Sequence, residues 1–322
     1  MDGVLYFFAR VVVAMIQALP LELVARLGRW GGALAYRLDA RHRRVAVQNL
    51  TMCFSREKSP EEIRELAREN FRRIGENFAC AVKTAAMDFE ALRPHVEFVG
   101  AERLPGRNGG QPPPNVVIAI GHFGNFELYA RFGQFRPEYQ CATTYRALKH
   151  PAFDRLLQQL RQRSGCLFFE RRTDGPLLRV AMHRPSPGSF SLHSEVTAGQ
   201  AGPASRQGII LGFLTDQSTN GFRGPFLGHD CSTTLAPAVF ALRYHCELYT
   251  AVCWRTGSAK WRMELGEKIP THENGKPRPS AEIMRDANRA FEAAVRRDPA
   301  NWFWVHRRWK PAEQKTKMEP LV

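Results

Sequence analysis

The sequence predicts an α/β protein, a mixed sheet wrapped by helices and preceded by a helical N-terminal section, on three observations. From residue 115 onward, short apolar runs bounded by turn residues alternate with stretches of helical period, which is the order of a sheet covered by helices. Upstream of that point, the first hundred residues read as helix. The chain has 322 residues, 44% of them hydrophobic and 24% charged. That is enough for a large core, and it sets aside wholesale disorder and collagen-like or coiled-coil architectures.

Val4 to Leu19 reads VLYFFARVVVAMIQAL, interrupted by Arg10 and Gln17 and closed by Pro20. The run is shorter than the ~20 residues that span a bilayer comfortably. The chain's first ionisable side chain is Asp2 and no A-x-A pattern follows the run, which argues against a secretory signal. We read residues 1–27 as a membrane-anchor or interfacial helix, with a buried helix of the soluble core as the alternative. Next, Arg26, Arg29, Arg37, Arg41, Arg43 and Arg44 alternate with Leu27, Trp30, Leu34 and Tyr36, either a positive flank at an anionic leaflet or a solvated charged face. Ser59-Pro60-Glu61-Glu62 supplies an N-cap, a first-turn Pro and a Glu three residues after the cap, so a long helix starts there and runs to about Ala86.

After a Gly/Pro-rich connection, Asn115 to Ile120 is a short apolar run, predicted to be a buried strand. Further strands are predicted at Gln140 to Thr144, Cys166 to Phe169, Ile209 to Leu214, Leu248 to Trp254 and Arg262 to Leu265. Helices are predicted at Pro151 to Arg163, Pro176 to His183, Thr233 to His245 and, capped by Ser280, Ala281 to Arg297. Residues 184–207 are rich in Ser, Gly and Pro and read as an inserted surface loop, and 311–322 as a polar tail. No repeat of 20 to 50 residues is visible.

Charge is the unusual quantity. Forty-six Lys plus Arg against 31 Asp plus Glu leave +15, which implies an anionic partner: nucleic acid, an acidic membrane surface, or acidic substrates and carrier proteins. No RNP, KH, zinc-finger or helix-turn-helix signature accompanies the charge, which argues against nucleic acid. The seven cysteines are scattered, without a C-x-x-C pair or tight Cys/His spacing. A zinc site and a disulfide framework are therefore not expected, and the thiols fit a reduced, cytosol-facing body.

The segment Ile120-Gly121-His122-Phe123-Gly124-Asn125-Phe126-Glu127-Leu128 carries the chemistry. A strand runs into two glycines, and a His lies five residues before a Glu at the start of a helix. The two side chains meet only if His122 sits in the turn and Glu127 in the first helical turn. A neutral imidazole held by a carboxylate is a general base able to take a hydroxyl proton. No G-x-S-x-G elbow accompanies it, which favours direct transfer over a covalent acyl-enzyme.

GHFGNFEL resembles the His-x4-Asp/Glu signature of the glycerolipid acyltransferase superfamily, and specifically its lipid A biosynthesis branch, the lauroyl/myristoyl acyltransferases of Gram-negative bacteria. Similar order continues through Thr144-Tyr145-Arg146, Arg161 to Gly165, Thr215-Asp216-Gln217, Gly224 to Gly228 with Ser232-Thr233-Thr234, and Trp302 to Lys310. It runs from the N-terminal helix to about Lys310, departing at the 184–207 insertion, which is longer than the family's usual connection. The resemblance implies an acyltransferase domain over residues 28–310 on the cytoplasmic face of a bacterial inner membrane. His122 would be the base and Glu127 its orienting partner. The acceptor, an anionic lipid or glycolipid such as a lipid A precursor, would attack the thioester of acyl carrier protein or acyl-CoA, with no metal and no bound cofactor.

Around that pair, Arg146, Arg161 and Arg163 are candidates for holding phosphate groups or a developing oxyanion, or else are solvated helix charges. Asp216 and Gln217 stand at a strand end, where α/β folds place site residues, with a turn or cap as the other reading of Asp216. Gly224, Pro225, Phe226 and Gly228 form a wall of the acyl or acceptor pocket, or shape a turn. His306, Arg307 and Arg308 among Trp302, Trp304 and Trp309 suit either a headgroup-facing belt or internal packing. Two other functions stay open: an acyltransferase for a different phospholipid, aminolipid or glycolipid acceptor, and, remotely, a basic nucleic-acid-binding protein.

Overall fold

The computed structural model describes residues 2–107, 111–183, 207–219 and 221–310. The insertion read over 184–207, except Gln207, and the tail over 311–322 lie outside the described residues.

The chain opens with four helices, α1 (Asp2–Ala18), α2 (Leu21–Leu38), α3 (Ala40–Phe54) and α4 (Pro60–Thr84). Asp39 closes α2 and caps α3 by accepting the His42 N–H at 3.0 Å. Ser59 starts α4 with a full capping box, its hydroxyl accepting from Glu62 N and the Glu62 carboxylate from Ser59 N. Backbones of α2 and α4 touch: a Cβ on Gly32 would lie 2.1 Å from Phe71 O, and one on Gly75 2.2 Å from Gly28 O. Beside that contact the fully buried Glu76 carboxylate binds Arg29 of α2 at 3.3 Å and Arg255 at 2.7 Å. A carboxylate buried this deeply is tolerable because it is doubly paired. Among the described residues no helix is long and apolar enough to cross a membrane.

A short helix, α5 (Phe89–Leu92), leads to β1 (Val96–Val99) and β2 (Val116–Ile120); then follow α6 (Phe132–Phe135), β3 (Tyr139–Tyr145), α7 (Pro151–Gln162), β4 (Leu167–Glu170) and α8 (Gly175–Met182). Beyond the insertion come β5 (Gly208–Leu214), β6 (Phe222–Phe226), β7 (His229–Thr233), α9 (Ala236–Arg243), β8 (Glu247–Gly257), β9 (Lys260–Leu265), the small pair β10 (His272–Glu273) and β11 (Lys276–Pro277), and α10 (Ser280–Arg297). Seven strands form one sheet in the order β1-β9-β8-β2-β5-β3-β4, with every neighbouring pair parallel except β8 and β9. The fold is thus α/β with a mixed sheet flanked by helices.

Four corrections to the predicted elements emerge, the first three of them from tertiary pairing. The first hundred residues are not wholly helical, because Val96–Val99 pairs with β9 at the sheet edge. The Gly224-Pro225 stretch is strand, forming an antiparallel hairpin with β7 outside the main sheet. Thr233 belongs to that hairpin, so the helix predicted from it starts only at Ala236, and the helix at Ser280 takes no side-chain cap from Ser280.

Central β2 is buried on both faces, and alternation divides its residues between two cores. Ile118 and Ile120 face one side with Cys141 and Ile210, and Val117 and Ala119 face the other with Ala142, Leu211 and Phe213. The C-terminal ends of β2, β3, β4 and β5 open side by side at one edge. There the chain's last described segment returns, held by α3 and α4: Asn49 donates to Trp304 O and His306 O at 2.9 Å each, and Asn70 to Ala300 O at 2.9 Å and Trp302 O at 2.5 Å.

Candidate active site

His122 lies in the turn after β2, and β5 runs parallel to β2 with Ile120 opposite Leu214. That register brings the turn after β5 beside it. Asp216 accepts from the His122 backbone N–H through Oδ2 at 2.7 Å, and Asp216 Oδ1 lies 2.7 Å from His122 Nδ1. The indole N–H of Trp302 also donates to Oδ2 at 2.7 Å. Burial alone would push the Asp216 carboxyl up. The charge and hydrogen bonds of His122 together with the Trp302 N–H outweigh it and hold the group below the usual carboxylate range. An ionised carboxylate only accepts, so Nδ1 carries a proton, and in the neutral imidazole it is Nε2 that keeps the lone pair. Nε2 faces the Gln217 side-chain amide at 3.3 Å. Phe126 and Phe303 pack on the ring at centroid distances of 4.9 and 5.9 Å, with Phe78 against both, which keeps water from much of the imidazole.

The orienting contact expected from Glu127 is therefore made by Asp216. Glu127 lies at the start of a short 3-10 turn and is taken by Arg161 from α7, Nε at 3.1 Å and Nη2 at 2.6 Å, a bidentate pair. The Arg161 guanidinium stacks 4.9 Å from the Phe168 ring centre and 5.9 Å from that of Tyr145. Both partners face the same cavity as His122.

That cavity encloses about 890 Å³ at the C-terminal edge of the sheet. Its walls come from both sheet faces. One side is lined by Ile118, Ile120, Cys141 and Ile210 with Phe132 and Met263, the other by Phe169 and Phe213 with residues of α8 and α9. His122, Glu127 and Gln217 line the same cavity.

The other sequence candidates separate. Arg146 and His306 line the cavity; His306 Nε2 accepts the Ser218 N–H at 3.2 Å, and burial pushes its imidazole below the usual range. Arg163 does not join them, since its guanidinium donates to Ala86 O at 3.0 Å on the surface. Gly224, Pro225, Phe226 and Gly228 do not wall the cavity. They build the β6–β7 hairpin, whose turn needs left-handed backbone at Leu227 and Gly228 (φ 51° and 79°), and Phe226 is buried against Trp302 at 5.5 Å. Arg307 is exposed. Arg308 is the reverse of a headgroup contact, fully buried and donating to Gln217 O at 2.7 Å, Ser232 O at 2.9 Å and Thr233 Oγ1 at 2.7 Å. Trp302 and Trp304 are likewise core residues, and Trp309 stacks on Trp304 and meets Trp302 edge to face, so the interfacial belt reading is replaced by internal packing. Trp302 as a donor to Asp216 had no signal in the sequence beyond its place in the C-terminal motif. Among the described residues no group of three or more His, Cys, Asp or Glu side chains could hold a metal ion.

The geometry is thus a buried carboxylate that holds a histidine, whose Nε2 faces the Gln217 amide, against a cavity lined from both faces of the sheet. A sequence model of the family described as bacterial lipid A biosynthesis acyltransferase matches residues 3–311, and the chain belongs to that family. It is also similar to the lipid A biosynthesis lauroyltransferase of Escherichia coli (strain K12), 27% identical over 162 residues that cover 50% of this chain and 51% of the relative. The match thus spans about half the length of that curated relative.

Proposed function

We propose that the protein moves a fatty acyl chain from a thioester, on acyl carrier protein or coenzyme A, to a hydroxyl of a lipid A precursor at the cytoplasmic face of the bacterial inner membrane. The observation that carries this reading is His122, held by Asp216 and lining the cavity, in a chain of the lipid A acyltransferase family. Nε2 takes the acceptor hydroxyl proton as the oxygen attacks the thioester carbonyl carbon. The C–S bond then breaks, and the leaving thiolate takes the proton from the imidazolium. Asp216 fixes the tautomer and stabilises that imidazolium. The Gln217 amide, 3.3 Å from Nε2, is positioned to donate to the oxyanion that forms two bonds away from the attacking oxygen. Glu127 holds Arg161 at the cavity wall, where the cation meets acceptor charge. Donor and acceptor bring what the transfer needs, and no cofactor is called for.

The test is incubation of the detergent-solubilised protein with acyl carrier protein and coenzyme A thioesters, a lipid A precursor and lysophospholipids, followed by lipid mass spectrometry. A gain of one acyl chain on the lipid A precursor is the expected result. A gain only on another lipid replaces the acceptor, and no gain on any lipid overturns the reading.

Membrane seating belongs to the same proposal. Phe7, Phe8 and Met15 of α1 are exposed, and α2 presents Leu23, Leu27, Trp30, Leu34 and Leu38 along one outer face, Trp30 being 82% exposed. That spacing is one helical stripe, flanked by Arg26 and Arg37. An apolar stripe edged by arginine suits insertion parallel to an anionic leaflet rather than a crossing. Leu27→Ser/Trp30→Ser is expected to lower cosedimentation with anionic phospholipid vesicles at least tenfold, because each side chain withholds about 1.5–3 kcal/mol of burial. Unchanged sedimentation would remove α2 from the membrane contact.

A further inference from the structure

A thioester donor is a linear molecule: its acyl chain leaves the carbonyl in one direction and its thiol arm in the other. The cavity is lined from both faces of the sheet, and the two sides differ chemically. The side over Ile118, Cys141 and Ile210 is apolar and suits hydrocarbon. The side lined by α8 and α9 is apolar through Leu178 and Phe240 but also carries polar groups. The Tyr244 hydroxyl is buried there without a hydrogen-bond partner among the described residues. Arg179 from α8 and Arg243 from the end of α9 line the same side, exposed and in no ion pair among the described residues, with the Arg243 guanidinium 5.7 Å from the Tyr244 ring centre. A hydrocarbon chain would leave that buried hydroxyl without a partner and would use neither cation. A chain of amides ending in a phosphate would meet them all.

We propose that the α8–α9 groove binds the 4′-phosphopantetheine arm of the donor, with Arg179 and Arg243 on its phosphate and the Tyr244 hydroxyl on its amides. The inference rests on the acyl-transfer reading and deepens it by assigning each side of the cavity one half of the donor. Acyl carrier protein and coenzyme A present the same phosphopantetheine, so the groove serves either.

The test measures kcat and KM of the wild type, Arg179→Ala/Arg243→Ala and Tyr244→Phe, each as full-length protein. Three donors are used: acyl carrier protein thioester, acyl-CoA, and an acyl-pantetheine lacking the phosphate. For the double variant KM is expected to rise at least tenfold with both phosphate-bearing donors, by loss of charge-assisted hydrogen bonds. KM for acyl-pantetheine and for the lipid acceptor should stay within about twofold of wild type on the same principle, since neither loses a bond to the arginines. Tyr244→Phe should raise KM severalfold with all three donors. An equal rise for acyl-pantetheine, a rise for the carrier-protein donor alone, a rise in acceptor KM, or no change would each overturn the assignment; the third would give the arginines to acceptor phosphate. Calorimetric titration with free 4′-phosphopantetheine separates the two levels. If wild type binds it and the double variant does not, the groove stands even should transfer fail, whereas turnover without such binding sinks the groove and keeps the reaction.

Discussion

His122→Ala is expected to lower the rate of acyl transfer by about 10³-fold or more while leaving the melting temperature and vesicle binding near wild type. General-base catalysis by a positioned side chain contributes about 10²–10⁴-fold, and two other candidate bases that line the cavity, Glu127 and His306, are already engaged. Glu127 is neutralised by its bidentate pair with Arg161. His306 has its Nε2 engaged by the Ser218 N–H. Water is a poor substitute, because Phe126, Phe303 and Phe78 crowd the ring. The fold should survive, since the Asp216 oxygen that ties the two turns together keeps its bonds to the residue 122 backbone N–H and to Trp302. Steady-state kinetics on lipid acceptor in mixed micelles, alongside circular dichroism melting, decides the matter. Activity within tenfold of wild type would remove His122 as the base.

Much of this site was legible in the sequence, and the part that was not has a physical reason. The apolar run 116–120 announces a strand buried on both faces, and the glycines after it announce a turn, so His122 could be placed at a strand end. Asp216 was visible only as another strand-end residue. Its contact with His122 spans 94 residues and exists because β5 lies next to β2, a strand order that no local pattern encodes. Glu127 looked like the partner because it is close in sequence, and closeness in sequence is weaker than adjacency of parallel strands. Arg308 shows the opposite error. Composition places an arginine among tryptophans equally well at a membrane surface or in a core, and what decides is the supply of acceptors. Two backbone carbonyls and a threonine hydroxyl compensate the buried guanidinium here, while burial still pushes its pKa down. The β6–β7 hairpin escaped notice because Gly224 and Pro225 argue against a strand in the interior of a sheet, and this pair stands outside the main sheet.

Asp216→Asn is expected to cost about 10³–10⁴ in kcat, comparable with the loss when the orienting carboxylate of a catalytic triad becomes an amide. The reason lies in which oxygen does what. Oδ2 accepts two N–H donors, from the His122 backbone and the Trp302 indole, both at 2.7 Å. An asparagine must place its only carbonyl oxygen there, which turns its NH2 group toward His122 Nδ1, where Oδ1 now sits at 2.7 Å. Facing a donor, Nδ1 must become the acceptor, and the ring proton moves to Nε2, the atom that has to take the substrate proton. Packing changes little, so the loss should appear in kcat with the melting temperature nearly unchanged. Glu127→Gln acts differently: it weakens the hold on Arg161 and leaves the imidazole tautomer alone. Nitrogen-15 NMR of histidine-labelled protein distinguishes the two, since the His122 signals should switch tautomer in Asp216→Asn and stay put in Glu127→Gln. A switch in the Glu127 variant alone would return the orienting role to the residue nearer in sequence.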